Sequence, residues 1–238
     1  MLVSGGMKYI VSCSFGKDSL CMLLKLLEEN RPVDEVIFYD TGMEYQAIYN
    51  NRDKVERILK TKNIKFTEIK GKDHFLYQMF VRPVKGGCKY GYEWCGGRTR
   101  WGTADKRAAI KRHYKIYSGE EIYEYVGIAV DEKQRIKEDD HKLYPLVEWG
   151  MTEKDCLNYC YDHGFNWNEN AVELYDILDR VSCWCCQNKN LKELKNMYLY
   201  LPEYWNKLKG LQSRLKIPMK KQGTVFELEE RFKKELEK

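Results

Sequence analysis

Three short runs rich in β-branched and aromatic residues alternate with two amphipathic segments near the start of the chain. No other feature constrains the fold as much. The spacing predicts a strand from Lys8 to Ser14 and a helix from Asp18 to Asn30 with Leu20, Leu23, Leu24 and Leu27 on one face. A strand from Asp34 to Asp40, a helix from Tyr45 to Lys62 and a strand from Lys65 to Lys70 follow. Strands separated by helices of this length pair in parallel through right-handed crossovers, which leaves two sheet faces to be covered. The expected fold is therefore α/β, a Rossmann-like parallel sheet with helices on both faces. A further strand, Tyr123 to Ala129, follows a basic helix at Thr103 to Tyr117 and is expected to join the same sheet.

After Pro145 the pattern changes. Thr152-Glu-Lys-Asp155 opens a helix with a good N-cap, Pro202 suits a first helical turn, and Thr224-Val-Phe-Glu227 is a capping box before the last helix. The C-terminal third is thus expected to be all helix. This divides the chain into an α/β domain at 1–147 and a helical region at 148–238 packed on it. The last helix is amphipathic and suits docking on its own core or across a homodimer.

The 238 residues carry a net charge of only +5, but unevenly. Between Arg82 and Lys115 there are ten basic residues against two acidic ones, and from Lys189 to Lys238 thirteen against seven. Concentrated positive charge points to phosphate-bearing partners, a nucleotide or a nucleic acid, while a solvated helical face is the commoner explanation for the C-terminal segment, whose charges are mixed in sign. No apolar run approaches the roughly 18 residues of a spanning helix, so no membrane association is expected. The N-terminus lacks a secretory layout, which points to the cytoplasm, and the nine cysteines then read as thiols or metal ligands.

Ser14-Phe-Gly-Lys-Asp-Ser19 joins the first strand to the first helix. Beyond the carboxyl end of a parallel strand, such a turn aims backbone N–H groups and a positive helix end at one point. Gly16 allows close approach of an anion, Ser14 and Ser19 offer hydroxyls, Lys17 adds a cation, and Asp18 can cap the helix or hold a metal. An ordinary βα turn is the plain alternative.

Four motifs in order resemble a known family. Ser14-Phe-Gly-Lys-Asp-Ser19 is similar to the PP-loop SGGxDS of ATP pyrophosphatases, in the form with Phe15 at the second position found among phosphoadenosine phosphosulfate (PAPS) reductase relatives. Asp40-Thr-Gly-Met-Glu44 resembles the family's DTG-x-E segment. Gly127-Ile-Ala-Val-Asp-Glu-Lys-Gln-Arg135 resembles GxRxxEsxxR, and Tyr144-Pro-Leu-Val-Glu-Trp149 with Thr152-Glu-Lys-Asp155 resembles P-hydrophobic-x-x-W-t-x-x-D. The resemblance implies an adenine-nucleotide site, for ATP or PAPS, in which residues 14–19 hold the distal phosphates or the sulfate end. Asp40, Thr41, Gly42, Glu44 and Gly127 would lie beside it, with Arg135 near the phosphates. The arginine two residues after Gly127 is absent, so the anion contact it makes in the family is either missing here or supplied by Arg98, Arg100, Lys106 or Arg107.

Cys183-Trp-Cys-Cys186 and the pair Cys88 and Cys95 have the spacing of a tetrahedral zinc site or an iron–sulfur cluster. Plain reduced thiols are the other reading. Cys13, Cys21, Cys156 and Cys160 read as small apolar core residues. Adenylyl-sulfate reductases, which hold a 4Fe-4S cluster, resemble this layout at Cys95, Cys183 and Cys186, but Gly96 occupies the second place of their tandem cysteine pair.

The reductase reaction of the family uses a cysteine near the C-terminus, and no cysteine follows Cys186. Cys185 or an external thiol would have to act instead. The preferred expectation is attack on the α-phosphate of ATP with release of pyrophosphate, in sulfur transfer or nucleic-acid modification. Lys17 and the loop would then stabilise the leaving group, Asp18 or Asp40 would hold magnesium, and Arg135 or Arg98 would approach the α-phosphate. Arg82, Lys85, Lys89, Tyr90, Tyr92, Trp94, Arg98, Arg100 and Trp101 could hold a nucleic acid, or the aromatics could anchor a metal-bearing loop. A sulfur carrier is the other partner considered. Sulfonucleotide reduction and a non-catalytic nucleotide-binding subunit stay as alternatives.

Overall fold

The hydrogen-bond ladder of five parallel strands organises the computed structural model, which describes residues 6–97, 100–136 and 138–237. In chain order the elements are β1 (Met7–Ser12), α1 (Lys17–Glu28), β2 (Glu35–Asp40), α2 (Gln46–Thr61), β3 (Lys65–Lys70), α3 (Phe75–Phe80), β4 (Pro83–Val84), β5 (Lys89–Tyr90) and α4 (Trp101–Tyr114). Then come β6 (Glu121–Tyr125), β7 (Lys142–Leu143), α5 (Pro145–Glu148), α6 (Glu153–Asp162), β8 (Asn168–Glu169), β9 (Val172–Glu173), α7 (Leu174–Ile177), α8 (Leu191–Tyr200), α9 (Pro202–Gln212) and α10 (Val225–Leu236).

The sheet order is β3-β2-β1-β6-β7, and each neighbouring pair is parallel. All six residues of β2 are buried, so both faces of the sheet are covered there. The fold is α/β and Rossmann-like. The strand expected at Tyr123 to Ala129 pairs with β1 in the register Tyr9 opposite Tyr123, but it ends at Tyr125. Beyond it the chain turns, with Ile128 N–H bonded to Val126 C=O, because Gly127 has to pass close to the start of α1.

Contacts group the chain into two interleaved units, where the sequence reading drew one boundary at residue 147. The first takes the described residues up to Asp40, Gln46–Lys70 and Ala108–Trp167; the second takes Thr41–Tyr45, Gly71–Arg107 and the chain from Asn168 onward. In the first, α1 packs on α6, where buried Cys156 meets buried Cys21 and buried Cys160 meets the Lys17 carbonyl, the core role expected of those cysteines. In the second, α10 buries Val225, Leu228 and Phe232, and Phe232 meets Trp205 and Tyr198 at ring separations of 5.9 and 6.1 Å. The last helix therefore docks on its own unit.

The expectation of an all-helical C-terminal third is corrected by the β8–β9 hairpin and by an irregular stretch at 178–190 that bears the cysteines. The local caps are as expected. Thr152 and Thr224 each form a full capping box with the residue three positions on, and Pro202 occupies the first turn of α9.

One buried carboxylate fastens the amino-terminal end of the sheet. Glu35 is 0% exposed, and it accepts hydrogen bonds from the Thr67 and Tyr117 hydroxyls and from Lys65 Nζ at 2.9 Å, with His113 Nε2 at 3.0 Å. Burial pushes this carboxyl up, but the four partners outweigh it and hold Glu35 below its ordinary value. A depressed folded-state value contributes stability above the unfolded carboxylate range and loses it as pH falls through the folded value. Glu35→Ala is expected to lower unfolding free energy by about 1–2 kcal/mol at pH 7, because Thr67, Tyr117, Lys65 and His113 lose their shared buried acceptor while Lys65 and Tyr117 keep each other. The deficit should shrink below pH ~4, as followed by urea titration at each pH.

Candidate functional site

The chain leaves β1 at Ser12 and enters α1 at Lys17, and the turn joining them is set by its own side chains. Ser19 Oγ accepts from the Ser14 N–H at 3.2 Å, lies 3.1 Å from Ser14 Oγ, and donates to the Gly16 carbonyl at 3.2 Å. Phe15 has φ of 58° and is 0% exposed, with its ring 5.1 Å from Phe38 and 6.2 Å from Phe66, while its carbonyl accepts from Trp167 Nε1 at 2.8 Å. Any ligand contact at Phe15 would be made by its backbone. Gly16 caps α1 in extended conformation without a side-chain cap bond, so the helix presents its positive end at the turn. A Cβ on Gly127 would come within 3.0 Å of Ser19 Cα, which brings that glycine against the same junction.

Charges gather beside the turn within the first unit. The Lys17 side chain is 8% exposed, and its ammonium lies 2.6 Å from Glu153 Oε2 and 3.5 Å from Asp18 Oδ1. Carboxylate oxygens of Asp18, Glu132 and Glu153 all fall within 4.8 Å of one another, a hard-oxygen donor set of the kind magnesium takes. Arg135, on the turn Val130–Arg135, pairs with Glu132. Burial pushes the Asp18 carboxyl up to about 6, opposed by Lys17 and assisted by Glu153. Asp40 belongs elsewhere: its oxygens are engaged by the Tyr49 hydroxyl at 2.7 Å and Lys70 Nζ at 3.4 Å. Of the two candidates for magnesium, Asp18 is the one joined by other carboxylates.

Glu132 and Glu153 were not singled out in the sequence. Glu153 lies inside the capping sequence of α6, and Glu132 stands three residues before Arg135, a spacing that suits pairing on a helical turn. Their convergence on Asp18 depends on contacts more than 100 residues apart in the chain, which no local pattern reports.

The second unit contains the other predicted residues. Thr41 Oγ1 donates to Glu44 Oε1 at 2.7 Å and accepts from the Met43 N–H, and Gly42 between them has φ of 71°. The Met43 carbonyl accepts from the Trp184 N–H, which ties this segment to the cysteine-bearing stretch, and the Glu44 carboxylate acts on Cys183. Cys183 hydrogen-bonds through sulfur with both Cys185 and Cys186; the bond with Cys185 does most to push the thiol pKa up, the bond with Cys186 opposes it, and burial adds to the rise. Cys186 is likewise raised, by Cys183 and then by burial. Residues 95–97 dock on the same stretch: the Gln187 N–H bonds Cys95 C=O at 3.1 Å and the Gly97 N–H bonds Asn188 Oδ1 at 2.7 Å. Gly96, at φ of 137°, leaves no room for a Cβ, which would meet Gln187 Cβ at 2.9 Å. Cys95 is raised by burial, opposed by a backbone bond from Gly102 and raised further by Cys186.

Cys95 lies within electrostatic reach of Cys186, which bonds Cys183, and Cys185 beside them is wholly buried, but among the described residues the donor atoms gathered within 4.8 Å of one another are those of Asp18, Glu132 and Glu153 and not the thiols. Cys88 does not join these cysteines: it is exposed beside β5, and no bond links its thiol to another cysteine among the described residues. Trp94 and Trp101 are 2% and 9% exposed, so these two aromatics act as anchors, whereas Tyr90 is 66% exposed. Arg98 falls outside the described residues.

A profile of the phosphoadenosine phosphosulfate reductase domain matches residues 8–189. The chain belongs to the phosphoadenosine phosphosulfate reductase family. Within the family it is 27% identical over 213 residues to an uncharacterized protein of Methanocaldococcus jannaschii, covering 84% of this chain and 46% of that one. It is also 27% identical over 177 residues to the adenosine 5'-phosphosulfate reductase of Geobacillus thermodenitrificans, covering 68% of this chain and 67% of that one. The chain spans under half the length of the Methanocaldococcus relative. Among solved structures, the U34-tRNA thiolase of Methanococcus maripaludis with its [4Fe-4S] cluster superposes with a TM-score of 0.48 at 12% identity, over 99% of this chain and 74% of that one. No helix among the described residues is long and apolar enough to cross a membrane.

The raised Asp18 carboxyl has a stability consequence whose sign is opposite to that of Glu35. The folded state takes up a proton near pH 6 before the unfolded state does, so stability rises as pH falls from about 6 to about 4. Asp18→Asn is expected to stabilise the protein by about 2–3 kcal/mol at pH 7.5 and to flatten that rise. Denaturant unfolding at pH 7.5 and 4.5 reads both effects, and a destabilised variant at pH 7.5 would contradict them.

Proposed function

We propose that the protein binds ATP with magnesium at the turn 14–19 and transfers the adenylyl group to an acceptor with release of pyrophosphate. The observation that carries this reading is the carboxylate group of Asp18, Glu132 and Glu153 next to Lys17 and an uncapped helix end. Magnesium on those oxygens would neutralise the polyphosphate, while the loop N–H groups and Lys17 bind the departing end and Arg135 approaches the α-phosphate. An acceptor oxygen bonds to the α-phosphorus, the bond to the bridging oxygen breaks, pyrophosphate leaves with that electron pair, and the acceptor proton passes to water.

Cys95, Cys183 and Cys186 would hold zinc or an iron–sulfur cluster, since soft thiolates select those metals. Such a centre suits sulfur transfer to the adenylylated acceptor, a nucleic acid or a molecule brought by a sulfur-carrier protein. A second reading, reduction of a sulfonucleotide, is favoured by the names of the Geobacillus relatives.

Anaerobically purified protein is expected to release pyrophosphate from Mg-ATP on addition of acceptor RNA, and to lose release at least a hundredfold in Lys17→Met. Cys183→Ser with Cys186→Ser should remove the bound metal, read by elemental analysis, and leave ATP affinity within about threefold. Reduction of adenosine 5'-phosphosulfate or PAPS to sulfite, without pyrophosphate release, would replace the first reading by the second. Binding of Mg-ATP with no turnover of either kind would leave a nucleotide-binding subunit.

A further inference from the structure

Glu153 is the first residue of α6, and its position is fixed at both ends. Its N–H bonds both oxygens of Asp131 at 3.2 Å, inside the capping box that Thr152 and Asp155 make. Its carboxylate holds the Lys17 ammonium at 2.6 Å. Lys17 is pinned from the other side as well, because its carbonyl accepts from Cys160 Sγ, also on α6, at 3.5 Å. The cation that should meet an anion at the turn is therefore already engaged by an internal carboxylate in a part-buried contact. Lys17 and Arg135 bring two positive charges to this neighbourhood, and Asp18, Glu132 and Glu153 bring three negative ones.

We infer that Glu153 is a positioning residue that occupies Lys17 until a cation-complexed polyphosphate arrives, so that the turn rejects free polyphosphate and accepts its divalent-metal complex. The inference rests on the nucleotide reading given above and names what makes that site selective. A free polyphosphate has to break the 2.6 Å pair and then leave Glu153 facing its own negative charge, in a setting where burial strengthens the repulsion. A metal complex arrives with much of that charge neutralised and gives the carboxylates a cation in place of the ammonium. Lys17 is then released to the phosphate with no carboxylate left unbalanced. Specificity here is built from repulsion of the wrong charge state as much as from attraction of the right one.

The probe is inorganic pyrophosphate, titrated calorimetrically into the full chain with EDTA and, separately, with excess magnesium. Wild type is expected to bind at least tenfold more tightly with magnesium. Glu153→Gln should tighten metal-free binding tenfold or more, so that the ratio collapses. Glu153→Asp keeps the charge but is one methylene too short to hold Lys17 as closely, and it should tighten metal-free binding three- to tenfold. Improvement in Glu153→Gln with none in Glu153→Asp would mean that only through-space charge matters, and would overturn the pairing role. No improvement in either would also overturn it. A purely structural role for Glu153 predicts weaker binding in both variants under both conditions. Should wild type bind neither Mg-ATP nor Mg-pyrophosphate, the nucleotide reading fails, and metal-free binding of the two variants still reports on Glu153 by itself.

Discussion

The strained turn at Phe15 is the constraint on which the candidate site depends. A non-glycine residue in the left-handed region costs on the order of 1 kcal/mol or more and persists only where surrounding contacts over-determine it. Here they do. A ring with no exposure packs against Phe38 and Phe66, and Trp167 holds the carbonyl. Hydrophobic burial in the sheet thus fixes where the chain reverses, and this sets the start of α1, the direction of Lys17 and the place of Ser19. Binding geometry at residues 14–19 is in this sense a product of the core.

Charge completes what the turn begins. A buried lysine is stable only when paired, and the partly exposed Glu153 carboxylate supplies that partner for Lys17. Asp18 is less well served: desolvation dominates, and its carboxyl holds its proton to about pH 6. A carboxyl held in an unfavourable state by burial is the kind that gains most from a bound cation, and elevated carboxylates concentrate at functional sites. Glu35 behaves in the opposite way. Four partners satisfy it at the other end of the strands, and it serves the fold alone.

Local chemistry made much of this legible in the sequence. Lys65–Lys70 is a strand with the bounds its alternation suggests, and the caps at Thr152 and Thr224 depend on residues three positions apart. The junction at 14–19 was also legible from its spacing, as the turn between the first strand and the first helix. What stayed hidden depends on distant contacts. Tyr123 to Ala129 is rich in β-branched and aromatic residues, yet the strand stops at Tyr125 because Gly127 must pass Ser19. Glu153 reads as an ordinary first-turn acid until α6 is seen against α1. Cys88 has a plausible spacing to Cys95, but the hairpin leaves it exposed, while Gly96 allows residues 95–97 to dock on Gln187 and Asn188.

The most direct test is a crystal structure of the protein with magnesium and an ATP analogue whose α,β-bridge resists cleavage. The account predicts β- and γ-phosphates on the N–H groups at the start of α1, Lys17 Nζ within hydrogen-bond distance of a phosphate oxygen, and magnesium on Asp18 with Glu132 or Glu153. A nucleotide bound away from residues 14–19, or with its polyphosphate facing solvent and Lys17 still on Glu153, would contradict it.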